Sequence, residues 1–471
     1  MSGQITIAIW LFVLLLAIAI WAVLDRVLIP STRWFLRRRI NRVIDEISTR
    51  LDIQIKPFQI TKRQVLIDRL VYDPKIIEAI RQEAVERDCP REIVQSEVIV
   101  YAKEIVPSFN AYLYFRFGYW LSKKITKLLY SVNIGFSEDE AFKNIDADAS
   151  VVFLMNHRSN MDYLLVSFLA AEKTTLSYAV GEWAKIWPLR TLIRAMGAYF
   201  VRRKSGNALY RRVLERYICM ATKEGVCQAV FPEGGLTRDG CLQKPKLGVL
   251  DYMLRNYKPE SDRDIIFIPV GINYDRTIED RSQLRALDSE APKRNKWFVI
   301  MTTLRFIRRS LFLMVMSRWQ RFGYACVNFG PPISMRKYCQ DSKIDFSGME
   351  HNIRFQEVAK LADQLMTAIK KLIPILPISL VSTVINDGDR KGLSAAEVES
   401  QTNQLIETLR LQGAPLYFTA GSRVEIIINA LNMLALRRLV IETDGRYTPV
   451  EQERDMLAYY ANSIVHWLPK G

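Results

Sequence analysis

The hydrophobic pattern of the chain begins with an uncharged apolar stretch at residues 5–24, about the length of a helix that crosses a bilayer. No Lys or Arg precedes this stretch, whereas arginines are frequent between positions 26 and 42. By the positive-inside rule, this asymmetry predicts a transmembrane anchor over residues 1–30 and places the rest of the chain in the cytoplasm. A cleaved signal peptide is disfavoured because no basic segment precedes the apolar stretch.

The pattern changes twice after the anchor. Residues 31–135 have a helical, basic pattern, and residues 341–471 are again mainly helical. Between them, in a domain that we place at residues 136–340, short β-like runs alternate with amphipathic stretches, which predicts an α/β domain. The β-like runs lie at residues 151–155, 174–181, 197–201, 226–231 and 264–272.

Local signals predict where several elements begin. Asp73-Pro74 is a typical N-cap and first-turn pair, and Asp444-Gly445 predicts the turn of a small hairpin. Capping boxes are predicted at Ser137 with Glu140, Ser394 with Glu397, and Thr448 with Glu451.

Residues 297–319 mix apolar side chains with four arginines. A helix on the domain surface and a second helix in contact with a membrane both fit this segment. The arginines disfavour a second full span.

Charge and composition narrow the function. The formal net charge of +16 predicts an anionic partner: a phosphorylated substrate, acidic lipid head groups or nucleic acid. The chain has three histidines and six cysteines, and no Cys-x-x-Cys spacing occurs. Neither a zinc site nor a disulfide framework is therefore predicted, and reduced thiols are expected.

The segment 153–163 carries the most specific chemistry. A short apolar run that predicts a buried strand ends just before His157, and Asp162 follows where Ser159 or Asn160 could cap a new helix. A carboxylate at this spacing can bond one ring nitrogen and leave the other exposed as a base. The same spacing also occurs by chance on surface turns. No protein nucleophile is evident, so the histidine could deprotonate a substrate hydroxyl directly.

Two later segments supply charged groups. Arg202 and Arg203 follow an apparent strand, and arginine binds phosphate through paired hydrogen bonds. Alone, they would equally fit a basic surface patch. The second segment, 231–248, contains Pro-Glu-Gly-Gly on a tight turn. Its Glu233 could bind a substrate hydroxyl, and anionic oxygens could be bound by backbone amides near Gly234 together with Arg238 and Lys246. The apolar run 265–274 predicts a buried strand that forms an apolar wall.

In this order, these motifs resemble those of the bacterial-type membrane-bound sn-glycerol-3-phosphate 1-O-acyltransferases, which belong to the glycerolipid acyltransferase superfamily with its His-x4-Asp motif. The resemblance touches roughly two-thirds of the chain, and ordered motifs are more specific than any one of them. The matching segments are 157–162, 197–203, 231–248, 268–274, 323–333 and 459–466.

The resemblance implies a fold: a mixed-sheet α/β acyltransferase domain between helical N- and C-terminal regions, with an N-terminal transmembrane helix. It implies that His157 is the general base for the 1-hydroxyl of glycerol-3-phosphate and that Asp162 orients it. The alkoxide would attack an acyl thioester. The glycerol phosphate would be bound by Arg202 or Arg203, Glu233 and Arg238, with help from Gly234 and Lys246.

The same resemblance implies acyl-CoA or acyl carrier protein as co-substrate, with no metal or other cofactor. It also implies an anionic phospholipid membrane as partner, no nucleic acid, and a location at the cytoplasmic face of the bacterial inner membrane. His466 and its neighbouring tyrosines match the family but are interpreted as structural, since a lone histidine on a helix is usually a packing residue.

One departure leaves the acceptor open. The family usually has a basic residue where this chain has Leu236. Lysophosphatidate or dihydroxyacetone phosphate therefore remain alternative acceptors, although the Arg202-Arg203 pair favours a small charged one. A non-catalytic basic protein that binds lipid or nucleic acid by charge would explain the net charge of +16 but not the ordered motifs. A metal-dependent hydrolase lacks ligands near His157, and phosphoryl transfer lacks its Gly-rich lysine loop.

Overall fold

The structure is a computed structural model of the 471-residue chain. It describes residues 9–24, 31, 55–137, 142–170, 174–181, 189–202, 206–287, 321–388, 392–418 and 422–468.

The helices and strands are numbered here in chain order. The α-helices are α1 (Ile9–Val23), α2 (Pro57–Ile60), α3 (Arg63–Val71), α4 (Pro74–Glu86), α5 (Arg91–Ile105), α6 (Tyr119–Leu129), α7 (Met161–Ala170), α8 (Leu189–Ala195), α9 (Ala208–Lys223), α10 (Gly248–Leu254), α11 (Asp280–Arg285), α12 (Met335–Ser342), α13 (His351–Leu372), α14 (Pro377–Asp387), α15 (Ala395–Leu411), α16 (Arg423–Leu436) and α17 (Arg454–Ala461). The strands are β1 (Ser131–Ser137), β2 (Ser150–Met155), β3 (Ser177–Val180), β4 (Tyr199–Phe200), β5 (Gln228–Val230), β6 (Ile265–Tyr274), β7 (Tyr324–Phe329), β8 (Ile333–Ser334), β9 (Leu393–Ser394), β10 (Val440–Thr443) and β11 (Arg446–Pro449). A π-helix covers Leu113–Gly118, and short 3₁₀ helices cover Glu451–Glu453 and Val465–Trp467.

The central sheet is mixed, as the family resemblance implies. Its strand order is β1-β7-β6-β2-β5-β3-β4, with β8 paired to β6. The run from β6 through β2, β5 and β3 to β4 is parallel, whereas β7 lies antiparallel to β6. The carboxyl ends of the parallel strands therefore meet at one edge, and the loops that leave this edge carry the candidate site.

Alternating side chains on β2 show why the sheet is covered on both faces. Val152 and Leu154 join a core with helices of the N-terminal region, α9 and α13. Val151, Phe153 and Met155 point to the other face and pack with residues of α6 and α7. Every residue of β6 is buried, which confirms the expected buried strand. A strand that is buried on both faces needs apolar residues at successive positions, and this explains why nearly all of its residues are apolar.

The C-terminal region has its own core, formed by α14–α17 and a small antiparallel sheet of β10, β11 and β9. The predicted hairpin is confirmed, with Asp444 and Gly445 both at positive φ, 50° and 71°, as its two-residue turn requires. The region contacts the central sheet through Asp275, whose carboxylate accepts hydrogen bonds from the amides of Tyr324 and Ile378 at 2.8 and 3.2 Å.

The local start signals have mixed outcomes. The Asp73 N-cap and the capping box of Ser394 with Glu397 are both confirmed. The box predicted at Thr448 is wrong: Thr448 lies in β11, its hydroxyl donates to the carbonyl of Ile441, and α17 begins only at Arg454. Pairing with β10 engages the backbone that a helix start would need. The box at residues 137–140 extends outside the described residues, and the segment 297–319 lies wholly outside them.

The N-terminal anchor is not confirmed as a transmembrane helix. Within the described residues, helix α1 covers Ile9–Val23. Among the residues that the structure describes, no helix combines the length and apolar character needed to cross a membrane. Residues 1–8 and 25–30 lie outside the described residues. Residues 57–129 are mainly helical, as predicted for the N-terminal region. The prediction is wrong for residues 131–135, which are part of β1 and pair with β7 in the central sheet.

Candidate active site

The loop after β2 is held to the neighbouring strand by one side chain. The Asn156 amide nitrogen donates to the carbonyl oxygen of Ile272 at 2.9 Å, and its oxygen accepts from the amide of the same residue at 2.7 Å. This pair of bonds continues the contact between β2 and β6 beyond the end of β2. These two bonds fix the residue directly before His157 to the central sheet.

His157 and Asp162 are in direct contact, as their spacing predicts. His157 Nδ1 lies 2.9 Å from Asp162 Oδ2, and the two residues are 1% and 0% exposed. The same Oδ2 accepts hydrogen bonds from the backbone amides of Arg158 and Ser159 at 2.8 and 3.0 Å. Because a carboxylate only accepts, the bond assigns the ring proton to Nδ1 and leaves Nε2 as an acceptor.

The imidazole ring is fixed by aromatic neighbours. Phe231 stacks on it with ring centroids 4.0 Å apart, and Tyr163 meets it edge-on at 5.5 Å. Nε2 of His157 has no hydrogen-bond partner among the described residues, although it is buried. The imidazole of His157 is thus fixed in orientation, and its Nε2 can accept a proton, as a general base requires.

Glu233 lies beside the loop and bonds its backbone. Oε1 accepts from the amide of His157 at 2.7 Å, and Oε2 accepts from the amide of Gln243 at 2.8 Å. Burial raises the pKa of Glu233 to about 7, although both hydrogen bonds act in the opposite direction. The sequence predicts that this carboxylate binds a substrate hydroxyl. In the structure its two oxygens join the Pro-Glu-Gly-Gly turn to the backbone of His157.

The turn after β5 needs glycine at position 234. Gly234 has φ +66°, and a Cβ there would come within 2.7 Å of Cδ of Lys246. The amide of Lys246 donates to the carbonyl oxygen of Pro232 at 2.8 Å, and the amide of Thr237 donates to that of His157 at 3.0 Å. The aliphatic part of Lys246 therefore lies across the turn, next to the loop of His157, and the residue is exposed.

The arginines are placed differently from this cluster. Arg238 is exposed, and its guanidinium donates to the carbonyl oxygen of Ala286 at 3.2 Å. Arg202 follows β4, which is separated from β2 by β5 and β3, a lateral distance of roughly 15 Å at normal strand spacing. Arg203 lies outside the described residues.

Arg202 already has an anionic partner. Its Nε and Nη2 bond the two carboxylate oxygens of Glu104 at 2.9 and 2.5 Å, and its guanidinium lies over the rings of Tyr101 and Tyr210. The bonds to Glu104 raise the pKa of Arg202 above its ordinary value. The structure thus brings together His157, Asp162, Glu233, Gly234 and Lys246, while Arg202 is held elsewhere along the same edge.

Two residues for which the motifs predicted no role in the site complete it. Tyr274, the last residue of β6, donates its hydroxyl to Asp162 Oδ1 at 2.7 Å. Glu279 accepts from the hydroxyl of Ser159 at 2.7 Å and the amide of Asn160 at 3.2 Å. The hydroxyl of Tyr274 at the end of a mostly apolar strand is a signal that the sequence contains, whereas Glu279, on a loop, has no such signal.

The C-terminal motif lies against the same loop. Arg158 is 3% exposed, its guanidinium lies 4.9 Å above the ring of Tyr459, and it donates to the carbonyl oxygen of Gly240 at 2.6 Å. Asn462 donates to the carbonyl oxygen of Asp239 at 2.8 Å. His466 bonds the carbonyl oxygen of Lys370 at 2.9 Å, and burial lowers its pKa to about 4. Helix α17 thus supports the back of the loop that holds His157.

In the part of the chain that the structure describes, no group of three or more His, Cys, Asp and Glu side chains is arranged to hold a metal ion. All six cysteines lie in that part as free thiols.

Comparison with known proteins gives two family matches. Residues 137–273 match the family described as Acyltransferase, and residues 310–469 match the Glycerol-3-phosphate acyltransferase C-terminal region. The first match contains the loop of His157 and all of β6 except Tyr274, and the second contains the segment that packs against that loop.

Among curated relatives, the chain is similar to proteins named glycerol-3-phosphate acyltransferase. One from Pseudomonas aeruginosa (strain UCBPP-PA14) is 26% identical over 91% of this chain and 51% of its own length. One from Shewanella pealeana is 26% identical over 87% of this chain and 50% of its own length. The chain therefore spans about half the length of the curated relatives it matches.

Among solved structures, the chain matches a 1-acyl-sn-glycerophosphate (LPA) acyltransferase from Thermotoga maritima. The match has 15% identity and a TM-score of 0.29, and it covers 65% of this chain and 98% of the other.

Proposed function

Because this chain belongs to the glycerol-3-phosphate acyltransferase family of the acyltransferase superfamily, we propose that it transfers a fatty acyl group from acyl-CoA or acyl carrier protein to the 1-hydroxyl of glycerol-3-phosphate. The product is 1-acyl-glycerol-3-phosphate, the first intermediate of phospholipid synthesis. The observation that carries this proposal is the buried His157–Asp162 pair with Nε2 unengaged among the described residues.

In the proposed reaction, His157 Nε2 removes the proton of the 1-hydroxyl as the oxygen attacks the thioester carbonyl. A tetrahedral oxyanion forms, the C–S bond breaks, and the imidazolium returns the proton to the leaving thiolate. Asp162 keeps the proton on Nδ1 and stabilises the imidazolium that forms at mid-reaction. No covalent acyl-enzyme is needed, because the acceptor hydroxyl is itself the nucleophile.

Phosphate binding is proposed for the basic residues around the turn. Lys246 and Arg238 are exposed near the loop of His157, where their charges can meet the phosphate of the acceptor. Arg202 or Arg203 is proposed to contribute from β4. For Arg202, this requires that phosphate share or replace the carboxylate of Glu104. Glu233 is proposed to bind the acceptor through the lone pairs that its two backbone bonds leave free.

We also propose that the protein works at the cytoplasmic face of the bacterial inner membrane, against anionic phospholipid. The side chains described on α1 are exposed and apolar, and the sequence after this helix is rich in arginine. Both features favour contact with a lipid surface. This location would bring the enzyme to the membrane that uses its product.

The test uses purified full-length protein in detergent or lipid, with a labelled long-chain acyl-CoA and, in parallel, acyl carrier protein thioesters. Glycerol-3-phosphate, dihydroxyacetone phosphate and lysophosphatidate are offered separately to wild type and to His157→Ala. We expect acylation of glycerol-3-phosphate that falls by about 10⁴-fold or more in the variant, since a triad histidine is worth that much. Preference for lysophosphatidate would reassign the acceptor, and no turnover with any acceptor would refute the enzyme proposal.

A further inference from the structure

We propose that Tyr274 is a positioning residue for the His157–Asp162 pair. Its hydroxyl would fix the orientation of the Asp162 carboxylate and draw part of the negative charge away from it. Both effects would act on His157 through its bond to Asp162. This inference rests on the proposed function, because it concerns the same base. It assigns a role to a residue outside the histidine, carboxylate and basic positions of the motifs.

The geometry divides the donors to Asp162 between its two oxygens. Oδ2 accepts from Nδ1 of His157 and from the amides of Arg158 and Ser159. Oδ1 accepts from the hydroxyl of Tyr274 at 2.7 Å, and no other donor to Oδ1 is found among the described residues. Asp162 and Tyr274 are both 0% exposed, so water does not replace this donor at the surface. Removing the hydroxyl would leave a buried carboxylate oxygen unpaired.

A second buried tyrosine shows that this contact is specific. Tyr130 packs against Tyr274 with ring centroids 5.2 Å apart and is equally enclosed. Its hydroxyl donates to the carbonyl oxygen of Arg276 at 2.8 Å, a neutral acceptor outside the pair. The two tyrosines therefore share packing and burial but differ in whether the hydroxyl contacts the catalytic carboxylate.

The direction of the expected effect follows from charge. Burial, together with the neighbouring Asp162, holds the pKa of Tyr274 well above its usual range, so the hydroxyl stays a donor at every working pH. Without this donor, more negative charge remains on Asp162, which favours the imidazolium form of His157. The base would then become neutral only at a higher pH. The other titratable groups around the pair are Arg158, Glu233, Glu279, Tyr130 and Tyr163.

The experiment compares Tyr274→Phe with Tyr130→Phe in the full-length protein. For Tyr274→Phe we expect kcat to fall about 10- to 100-fold, as for the loss of a hydrogen bond to a charged group, with KM for glycerol-3-phosphate within about twofold of wild type. The acid limb of the pH–rate profile should move to higher pH by about half a unit or more. Tyr130→Phe should have the same acid limb as the wild type. If the two variants have equal activity and the same acid limb of the pH–rate profile, the proposal is overturned.

A second replacement covers the case in which Tyr274→Phe does not fold. Introducing 3-fluorotyrosine at position 274 keeps the shape of the ring and makes the hydroxyl a stronger donor, so the acid limb should move to lower pH. An unchanged limb would contradict the positioning role. NMR signals of the imidazole rings can be followed in protein that is isotope-labelled at its three histidines, and the signal of His157 is assigned by its loss in His157→Ala. This measurement needs no substrate. The titration midpoint of His157 should rise in Tyr274→Phe only, even if the proposed acceptor proves wrong.

Discussion

The two halves of the candidate site are built in different ways. In the half formed by His157 and Asp162, both residues are almost fully buried, and both carboxylate oxygens have donors. In the basic half, Lys246 and Arg238 are exposed, and Arg202 is paired with Glu104. The hydrogen bonds of the half formed by His157 and Asp162 are in place before any ligand binds. The other half presents its positive charge on side chains that are exposed or bonded to groups outside the His157–Asp162 pair.

This difference matches what each half would have to do. A general base loses efficiency when its ring can rotate, so its hydrogen bonds and stacking partners must be in place beforehand. A phosphate carries enough charge to attract long cationic side chains, and an exposed cation that is solvated by water costs little energy while no phosphate is bound. Substitutions in the buried half are therefore expected to act on kcat, and substitutions in the basic half on KM.

The largest effect is expected from Asp162→Asn. The asparagine keeps the shape of the side chain but can offer an N–H toward Nδ1, which favours the wrong ring tautomer. Loss of about 10⁴ in kcat is expected, as in the analogous change in a Ser-His-Asp triad. Steady-state kinetics with glycerol-3-phosphate measures it, with circular dichroism to confirm folding. A folded variant with kcat within tenfold of wild type would show that the buried half is not the catalytic half.

A smaller effect is expected from Lys246→Ala. We expect KM for glycerol-3-phosphate to rise about tenfold with little change in kcat, since one charge-assisted hydrogen bond to phosphate is lost in ground and transition states alike. The matched control is Lys244→Ala, which removes an exposed lysine from the same loop two positions away. If both variants have the same KM, Lys246 contributes only to the general positive charge of the surface.

The smallest effect on activity, but a clear one on stability, is expected from Asp275→Asn. Burial raises the pKa of Asp275 from an ordinary 3.8 to about 7, so the folded protein holds a proton there that the unfolded chain releases near pH 4. The stabilisation from this group is complete below about pH 4 and is lost as the pH rises toward 7. Since one pKa unit corresponds to about 1.4 kcal/mol, the change amounts to a few kcal/mol.

Thermal unfolding at pH 5 and pH 7 measures this dependence. The difference in melting temperature between wild type and Asp275→Asn should be more favourable to wild type at pH 5 than at pH 7. A difference that is the same at both values would mean that Asp275 is ionised in the folded protein throughout this range. Acylation activity at pH 7 should stay within about threefold, because Asp275 bonds Tyr324 and Ile378 rather than the loop of His157.

The basic half also shows where reasoning from motifs reaches its limit. The sequence places Arg202 after a strand and predicts a phosphate contact, but Glu104, which pairs with it, lies 98 residues earlier in the chain. Glu233 is similar: its position on a tight turn is correctly predicted, but its bond to the amide of His157 spans 76 residues. Partners so distant in sequence leave no periodic or local signal.

What the sequence determined by itself is local. The apolar run of β2, the loop after it and the helix start near Asp162 follow from neighbouring residues, and together they bring the carboxylate within 2.9 Å of the imidazole five positions away. The hairpin at Asp444-Gly445 is determined in the same way by residues that tolerate positive φ. Tertiary structure alone decided that Tyr274 closes the other side of Asp162 and that Tyr459 packs behind Arg158. These contacts depend on which strands pair and which helices dock, and burial of apolar surface across the whole chain sets that arrangement.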